Sequence, residues 1–369
     1  MRSLMLVSND VIHVPRIMQE ARSLVRAGIG VTALGWDRRG VHERSRFAVD
    51  GIGIQLLRDT SLMRLAPTKL LKSPLWWRAA YDVARPHRAD LIHSHNLDTL
   101  RTAVRLKEDW GRPLLYDVHD IFSYMIEGDY PRFVAAYAQR MERDLLRKVD
   151  HVVTVNEPLR DHYQAITDRP VTVVMNCRED IAEKYQAPRN DLFTLLYIGN
   201  LHPDRFVLEL VRVVQSLEGV RLLIGGRDHL VEEVEALCAK SPRTTFLGEV
   251  PSDRVMPRTI AADAVVCMLD PKNRNYRLAY PAKSFDAMAA GRPVIISRGN
   301  PGAELVEREG CGVPVDFTER SLKQAVEALR DDPKLAERLG RAGLAAAKRE
   351  YNWGVQEKRL LSAVRSLGA

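Results

Sequence analysis

Tyr280-Pro281-Ala282-Lys283-Ser284-Phe285-Asp286-Ala287-Met288-Ala289-Ala290-Gly291-Arg292-Pro293-Val294-Ile295 is the stretch that decides the fold. Pro281 pre-sets the entry to a helix, whose free N–H groups and positive dipole end favour an anion beside them. Asp286 lies one turn further in, placed to accept hydrogen bonds from sugar hydroxyls such as a ribose diol. Gly291 suits the left-handed cap that ends a helix. The Pro-Val-Ile-Ile run then resumes as a buried strand. A helix handed directly to an apolar strand is the repeating step of an α/β protein.

Outward from this stretch, the same alternation recurs. Thr194–Ile198, Arg221–Ile224, Thr245–Leu247, Ala264–Met268 and Pro293–Ile296 read as strands, separated by helical stretches such as Val207–Ser216 and Leu230–Lys240. An earlier series runs through Leu4–Val7, Val31–Leu34, Ile52–Leu56, Asp90–Ile92, Leu114–Tyr116, His151–Val155 and Thr172–Val174, with a helix over Arg16–Arg26. Apolar strands alternating with amphipathic helices imply parallel sheets covered on both faces. Between the two series, the polar segment Cys177–Asn190 reads as a linker. The expected architecture is α/β: two Rossmann-like domains facing across a cleft. They span residues 1–185 and 186–350, and a final helix over 351–369 either adds one more surface helix to the second domain or crosses back to pack on the first.

The chain's 369 residues suit two domains rather than one core. Its 55 basic against 48 acidic residues give a net charge of +7. The excess is spread over both halves with no basic tail, which argues against a nucleic-acid partner and for anionic small molecules. Cys177, Cys238, Cys267 and Cys311 are widely spaced and form no C-x-x-C pair, which points to a reducing compartment and to neither a disulfide framework nor a zinc site. The first apolar run is too short for a signal peptide, and no stretch approaches the roughly 20 residues that span a bilayer. The expected location is cytoplasmic, with membrane contact at most peripheral, at the inner face. Arg64, Lys69, Lys72, Arg78, Arg85 and Arg88 around Trp76-Trp77 offer a basic, aromatic stretch for such contact. A helix whose tryptophans pack on the core is the simpler reading.

Tyr197-Ile198-Gly199-Asn200-Leu201-His202-Pro203-Asp204-Arg205 breaks a strand at a glycine and passes a polar loop into a helix. Ligands of open α/β sheets bind at such strand ends, and the guanidinium of Arg205 offers a diphosphate a fork of donors. In the first half, His93, His95 and His119 follow two strands. The His-x-His spacing of His93 and His95 allows a metal pair, but no neighbouring carboxylates complete a zinc site in the sequence.

The segment 280–295 resembles the nucleotide-binding motif of glycosyltransferase family 4, enzymes of the GT-B fold. Tyr197–Arg205 is similar to that family's phosphate-contacting loop. Phe246-Leu247-Gly248-Glu249-Val250-Pro251 with Ala261-Ala262-Asp263-Ala264 resembles its mid-domain signature, and Tyr351-Asn352-Trp353 the start of its crossover helix. The first half matches more loosely, through Asp90-Leu91-Ile92-His93-Ser94-His95 and Tyr116-Asp117-Val118-His119-Asp120. Four positions depart from the pattern: Leu278 stands where many members carry a glutamate, Asn200 where an arginine is common, Arg205 where a lysine is, and Ser8-Asn9-Asp10 where a glycine pair follows the first strand. Donor identity is therefore not carried over by the motifs.

The resemblance implies a hexosyltransferase that moves a sugar from a nucleoside diphosphate donor, a UDP-sugar by expectation, to an acceptor hydroxyl with retention. It implies no essential metal and no cofactor. Donor binding falls to Gly199, Asn200, Arg205, Pro281, Ala282, Lys283 and Asp286, and catalysis to His119, Arg205 and Lys283. The acceptor, a small molecule, a glycan or a lipid-linked sugar, falls to Asp10, His95, Asp98 and Asp120. A GT-B sugar-nucleotide epimerase and a non-catalytic sugar-nucleotide-binding protein are the competing readings.

Overall fold

The computed structural model describes residues 1–38, 40–59, 63, 69–127 and 130–368, with the side chains of residues 69–71 left aside. The chain divides into two compact units. One comprises Met1–Met175 with Gln356–Ala369, and the other Asn176–Val355.

In the first unit, strands β1 (Arg2–Leu6), β2 (Gly30–Asp37), β3 (Arg46–Val49), β4 (Ile52–Arg58), β5 (Leu91–His95), β6 (Leu114–Val118), β7 (His151–Thr154) and β8 (Val171–Val173) form one sheet in the order β3-β4-β2-β1-β5-β6-β7-β8. All pairings are parallel except the edge pair β3–β4. Every residue of β5 and β6 is buried, as expected for central strands covered on both faces. The order reverses between β1 and β5, so the loops after those strands diverge and leave a crevice at their carboxyl ends.

The second unit holds β9 (Phe193–Ile198), β10 (Val220–Gly225), β11 (Thr244–Phe246), β12 (Ala264–Cys267), β13 (Val294–Ser297) and β14 (Gly312–Val315) in the order β11-β10-β9-β12-β13-β14, all parallel. Leu195, Tyr197, Leu222, Ile224, Ala264, Val266 and Ile295 point into a core sealed by Val207, Leu210, Val211 and Val214 of the helix Val207–Gln215. The reversal here falls between β9 and β12. Gly291 ends the helix Ala282–Ala290 at a φ of 67°, the left-handed cap read from the sequence.

Residues 177–190 are not a free linker. The Ala182 N–H donates to Ala289 O, Arg292 donates to Gln186 O, and the guanidiniums of Arg292 and Arg341 lie over the Tyr185 ring. The segment's polar composition hid these anchors, which are single side chains rather than a periodic pattern. Helicity over 321–349 is interrupted at Asp332-Pro333, where Asp332 caps a new helix through Leu335 N–H.

The last helix, Trp353–Ser366, begins in the second unit and ends in the first. Within the first unit, Gln356 Oε1 accepts from Met175 N–H at 3.0 Å and Glu357 pairs with Arg26 at 2.8 Å. Of the basic, aromatic stretch, Arg64 and the Lys69 side chain lie outside the described residues. Trp76 is buried and stacked on Trp36 at 5.6 Å, and Trp77 donates its indole N–H to Asp98 O, so both rings serve packing within this unit. Among the described residues, no helix is long and apolar enough to cross a membrane.

Candidate functional site

At the strand ends of the second unit, the loop after β9 is shaped by backbone contact. Gly199 N–H donates to Gly225 O, Gly226 N–H to Gly248 O and Leu201 N–H to Arg227 O. A Cβ on Gly226 would lie 1.7 Å from Gly199 O, so only glycine lets the two loops touch. The Tyr197 hydroxyl donates to Asn200 O at 2.6 Å and closes the turn, leaving Asn200 exposed. The chain then enters a short 3-10 turn, Pro203–Arg205.

Arg205 stacks its guanidinium over the Tyr276 ring at 4.2 Å, with its Nε 3.9 Å from Asp204 and making no hydrogen bond. Asp204 is engaged elsewhere, by His202 at 2.6 Å and Asn273 at 3.1 Å. The arginine is therefore held by its flat face, and its donor edge is not consumed by a carboxylate.

The loop after β12 leads to Pro281, buried against Gly302, where a Cβ would meet the proline ring at 2.5 Å. The helix Ala282–Ala290 starts there without a side-chain cap, so its first N–H groups gain no internal acceptor from one, and Ala282 is exposed at its first position. Lys283 turns its ammonium over the Tyr197 ring at 4.7 Å and beside the Gly199 backbone. The Ser284 hydroxyl is buried at the same helix start and makes no hydrogen bond. One turn on, the Asp286 side chain is 21% exposed; its nearest cation is Arg178 Nε at 3.7 Å, while the Arg178 fork itself is spent on Asp180 at 2.7 Å.

Burial sets the electrostatics here. It pushes the Asp286 carboxyl up to about 6 against the pull of Arg178 and Lys283. It also brings the Lys283 ammonium down to about 8, helped by Arg205 and resisted by Cys267 and Asp286. Both groups therefore carry most of their charge at neutrality and lose it on opposite sides of it, the carboxylate on acidification and the ammonium on a rise in pH.

Gly199, Asn200, Arg205, Pro281, Ala282, Lys283 and Asp286 therefore share the switch point between β9 and β12, where an anion and a diol can be held side by side. Arg178 was not legible from sequence, because it lies in the stretch read as a linker. Tyr197 opened the loop segment singled out in the sequence but with no part assigned to it, and Tyr276, which carries the other cation, had no signature beyond being aromatic.

In the first unit, Asp10 follows β1, where it caps a short turn and accepts from His13 at 2.9 Å and His42 at 2.5 Å. Burial opposes its ionisation, but those two bonds hold its carboxyl below the usual range. Asp98 follows β5 and accepts from the Ser8 hydroxyl at 2.6 Å. Asn96 stands between β5 and Asp98 and fixes the loop after β6, its Oδ1 accepting from His119 N–H at 2.9 Å. His119 and Asp120 are half-buried at that strand end.

His95 differs from its neighbours. Its side chain is 1% exposed, packed 4.2 Å from the His93 ring and 5.6 Å from the His119 ring, so it meets an acceptor only through other residues. The carboxylates that sequence inspection did not find beside His93 and His95 are Glu20 and Asp117, both fully buried. Glu20 had one faint signal. It lies on the inner face of the helix Pro15–Arg26, within the apolar set Ile17, Ala21 and Leu24.

Two family models match this chain: Glycosyltransferase Family 4 over residues 16–179 and Glycosyl transferases group 1 over residues 193–332. The glycogen synthase of Mycobacterium tuberculosis is 23% identical over 289 residues, covering 73% of this chain and 67% of that one. Among solved structures, sucrose-phosphate synthase from Thermosynechococcus elongatus aligns over 100% of this chain and 99% of its own, with a TM-score of 0.81 at 18% identity. HepE from Anabaena in complex with UDP-glucose aligns over 99% of each chain with a TM-score of 0.71 at 15% identity. The two units and these matches define the class, a glycosyltransferase of the GT-B fold. Within that class, the first unit resembles glycosyltransferase family 4, whose model matches residues 16–179.

Proposed function

We propose that this glycosyltransferase takes its sugar from a nucleoside diphosphate sugar, a UDP-sugar by expectation, and transfers it with retention to an acceptor hydroxyl. The observation that carries the donor assignment is the pairing at the β9–β12 switch point. Two cations, Arg205 and Lys283, are held on aromatic faces without a carboxylate within hydrogen-bond reach, beside an accessible carboxylate, Asp286. Asp286 accepts the ribose hydroxyls, and the helix N-terminus at Pro281-Ala282 with Gly199 and Asn200 borders the diphosphate. The likeness to HepE, whose structure holds UDP-glucose, supports a UDP-sugar.

In the transfer step, the bond from the anomeric carbon to the phosphate oxygen breaks and a bond to the acceptor oxygen forms on the same face. The departing phosphate takes the acceptor proton. Charge grows on that phosphate as the bond lengthens, and Arg205 and Lys283 oppose it without reorganising. No metal is assigned to this step. His119 is given a part in transfer, and Asp10, Asp98 and Asp120 in holding the acceptor. His95 supports them from the interior.

Leu278, in the 3-10 turn Tyr276–Leu278 before the donor helix, favours a second reading, a sugar-nucleotide-binding protein without turnover. The test is a panel of nucleotide sugars offered with small-molecule, glycan and lipid-linked acceptors, with products read by mass spectrometry. A glycosylated acceptor with release of nucleoside diphosphate is expected. Saturable donor binding with no transfer or hydrolysis would establish the second reading, and conversion of the donor sugar without any acceptor would make the protein an epimerase.

A further inference from the structure

Beyond the support that His95 lends the acceptor side chains, the buried histidine-carboxylate cluster of the first unit has no part in the transfer chemistry. Four ligand-type atoms, one each from Glu20, His93, His95 and Asp117, lie within 4.8 Å of one another, and all four residues are buried. His93 Nε2 is 3.7 Å from Glu20 Oε2 and 3.7 Å from Asp117 Oδ2. His95 Nδ1 is 3.9 Å and 3.6 Å from the same two oxygens.

These separations exceed a hydrogen bond, and none of the four imidazole nitrogens makes one. Polar atoms this deep are normally paired, so two unpaired nitrogens, His93 Nε2 and His95 Nδ1, facing two carboxylate oxygens call for a partner between them. Four of the six edges of this group are about 3.7 Å and the other two are within 4.8 Å; with all six near 3.7 Å the centre would lie about 2.3 Å from each corner, against roughly 2.0–2.2 Å for zinc bound by nitrogen or carboxylate oxygen. A contraction of a few tenths of an ångström closes the shell.

The outer contacts are those of an oriented ligand set. Arg16 Nε lies 2.8 Å from Glu20 Oε1, and Arg16 Nη2 lies 3.1 Å from Asp117 Oδ1 and donates there, while Nη1 donates to Val174 O at 2.7 Å. His119 Nε2 stands 3.6 Å from that same Asp117 Oδ1. Arg16 Nη2 also donates to Asp117 Oδ2 at 3.1 Å, so that oxygen is shared between the guanidinium and the histidines, while Glu20 gives Oε1 to the guanidinium and turns Oε2 toward the histidines; outer partners of this kind fix a ligand's rotamer.

We propose that Glu20, His93, His95 and Asp117 bind one divalent transition-metal ion, zinc by the chemistry of the donors, as a structural ion joining the helix Pro15–Arg26 to β5 and β6. Two carboxylates against one guanidinium leave a negative charge unmatched in the interior. Burial drives the Glu20 carboxyl well above its usual range, whereas Arg16 holds the Asp117 carboxyl well below it against its own burial. The ion is buried and takes no part in bond making, so the transfer step is unaffected by the assignment.

The full-length protein purified from zinc-supplemented medium is expected to retain about one zinc per chain through gel filtration, and stripping it with a strong chelator to lower the Tm. Cobalt added to the stripped protein is expected to give the visible bands of a tetrahedral site. His93→Gln and His95→Gln should each bind the ion at least about tenfold more weakly, whereas His42→Ala should leave the stoichiometry intact. Folded wild-type protein with no retained zinc, no cobalt bands and no metal-dependent change in Tm would overturn the proposal. So would loss of the ion in His42→Ala, because the ion would then sit at the more exposed trio Asp10, His13 and His42.

Discussion

At the scale of the residue, the donor site depends on charges whose state burial has already disturbed. Arg205→Ala and Lys283→Ala are each expected to weaken nucleoside diphosphate binding by about 1.5–3 kcal/mol, the range for hydrogen bonds to charged groups, while leaving the bare nucleoside's affinity unchanged. Competition binding with both ligands checks this, and equal losses for the two would mean that the side chains serve the fold. The pH dependence has a definite sign. Asp286 accepts hydroxyls as a carboxylate, so donor affinity falls as pH drops through about 6, where the buried carboxyl takes up its proton. Lys283 attracts the diphosphate only as an ammonium, so affinity also falls as pH rises through about 8. Arg178 and Asp180 face Asp286, and Arg205 and Cys267 face Lys283; of these, Arg178 and Arg205 stay charged across this interval. Calorimetry with a nucleotide sugar, whose diphosphate diester does not titrate here, should show a bell. Lys283→Arg should flatten its alkaline limb, because a guanidinium stays charged, and an unchanged alkaline limb would remove Lys283 from the site. In the first unit, His119→Ala should lower turnover at least about tenfold, or roughly 1.4 kcal/mol of barrier, with nucleotide affinity nearly intact. Steady-state kinetics beside a binding titration separate the two, and near-native turnover in the folded variant would exclude His119 from transfer.

At the scale of the element, two loops meeting through bare backbone make the phosphate side of the site. Gly226→Ala brings a methyl group against Gly199 O, and overpacking of this kind costs about 1–3 kcal/mol. Chemical denaturation should show that loss together with weaker donor binding, and full stability in the variant would mean that the loops part freely. The elements themselves were legible because their physics is local and repetitive. Apolar runs such as Leu195-Leu196-Tyr197 and Val294-Ile295-Ile296 announce buried strands, and Pro281 and Gly291 bracket the donor helix. What escaped notice was carried by single side chains reaching across elements. The Tyr185 contacts that tie residues 177–190 to the second unit leave no period in the sequence, and neither does the placement of Arg178 beside Asp286. The same is true of Glu20, whose charge argued for an exposed face although its spacing from Ile17, Ala21 and Leu24 puts it inside.

At the scale of the whole molecule, two sheets, one all parallel and one parallel but for its edge pair, each reverse their strand order once and supply two switch points in one chain. The donor side could largely be read from sequence because one continuous helix and one loop hold the groups that face the donor, whereas Arg178 and Tyr276, which support them, come from elsewhere in the chain. The first unit was less legible because Asp10, Asp98 and His119 come from three strand ends that only the sheet order brings together. The central claim is that the second unit's switch point holds a nucleoside diphosphate through Asp286. It is tested most directly by titrating UDP, GDP and ADP calorimetrically into the wild-type protein and into Asp286→Ala. At least one nucleoside diphosphate should bind the wild type saturably, and the variant, still folded, should bind it more weakly by about 1.5–3 kcal/mol. Failure of all three to bind the folded wild type, or equal affinity of the tightest for both proteins, would contradict the account.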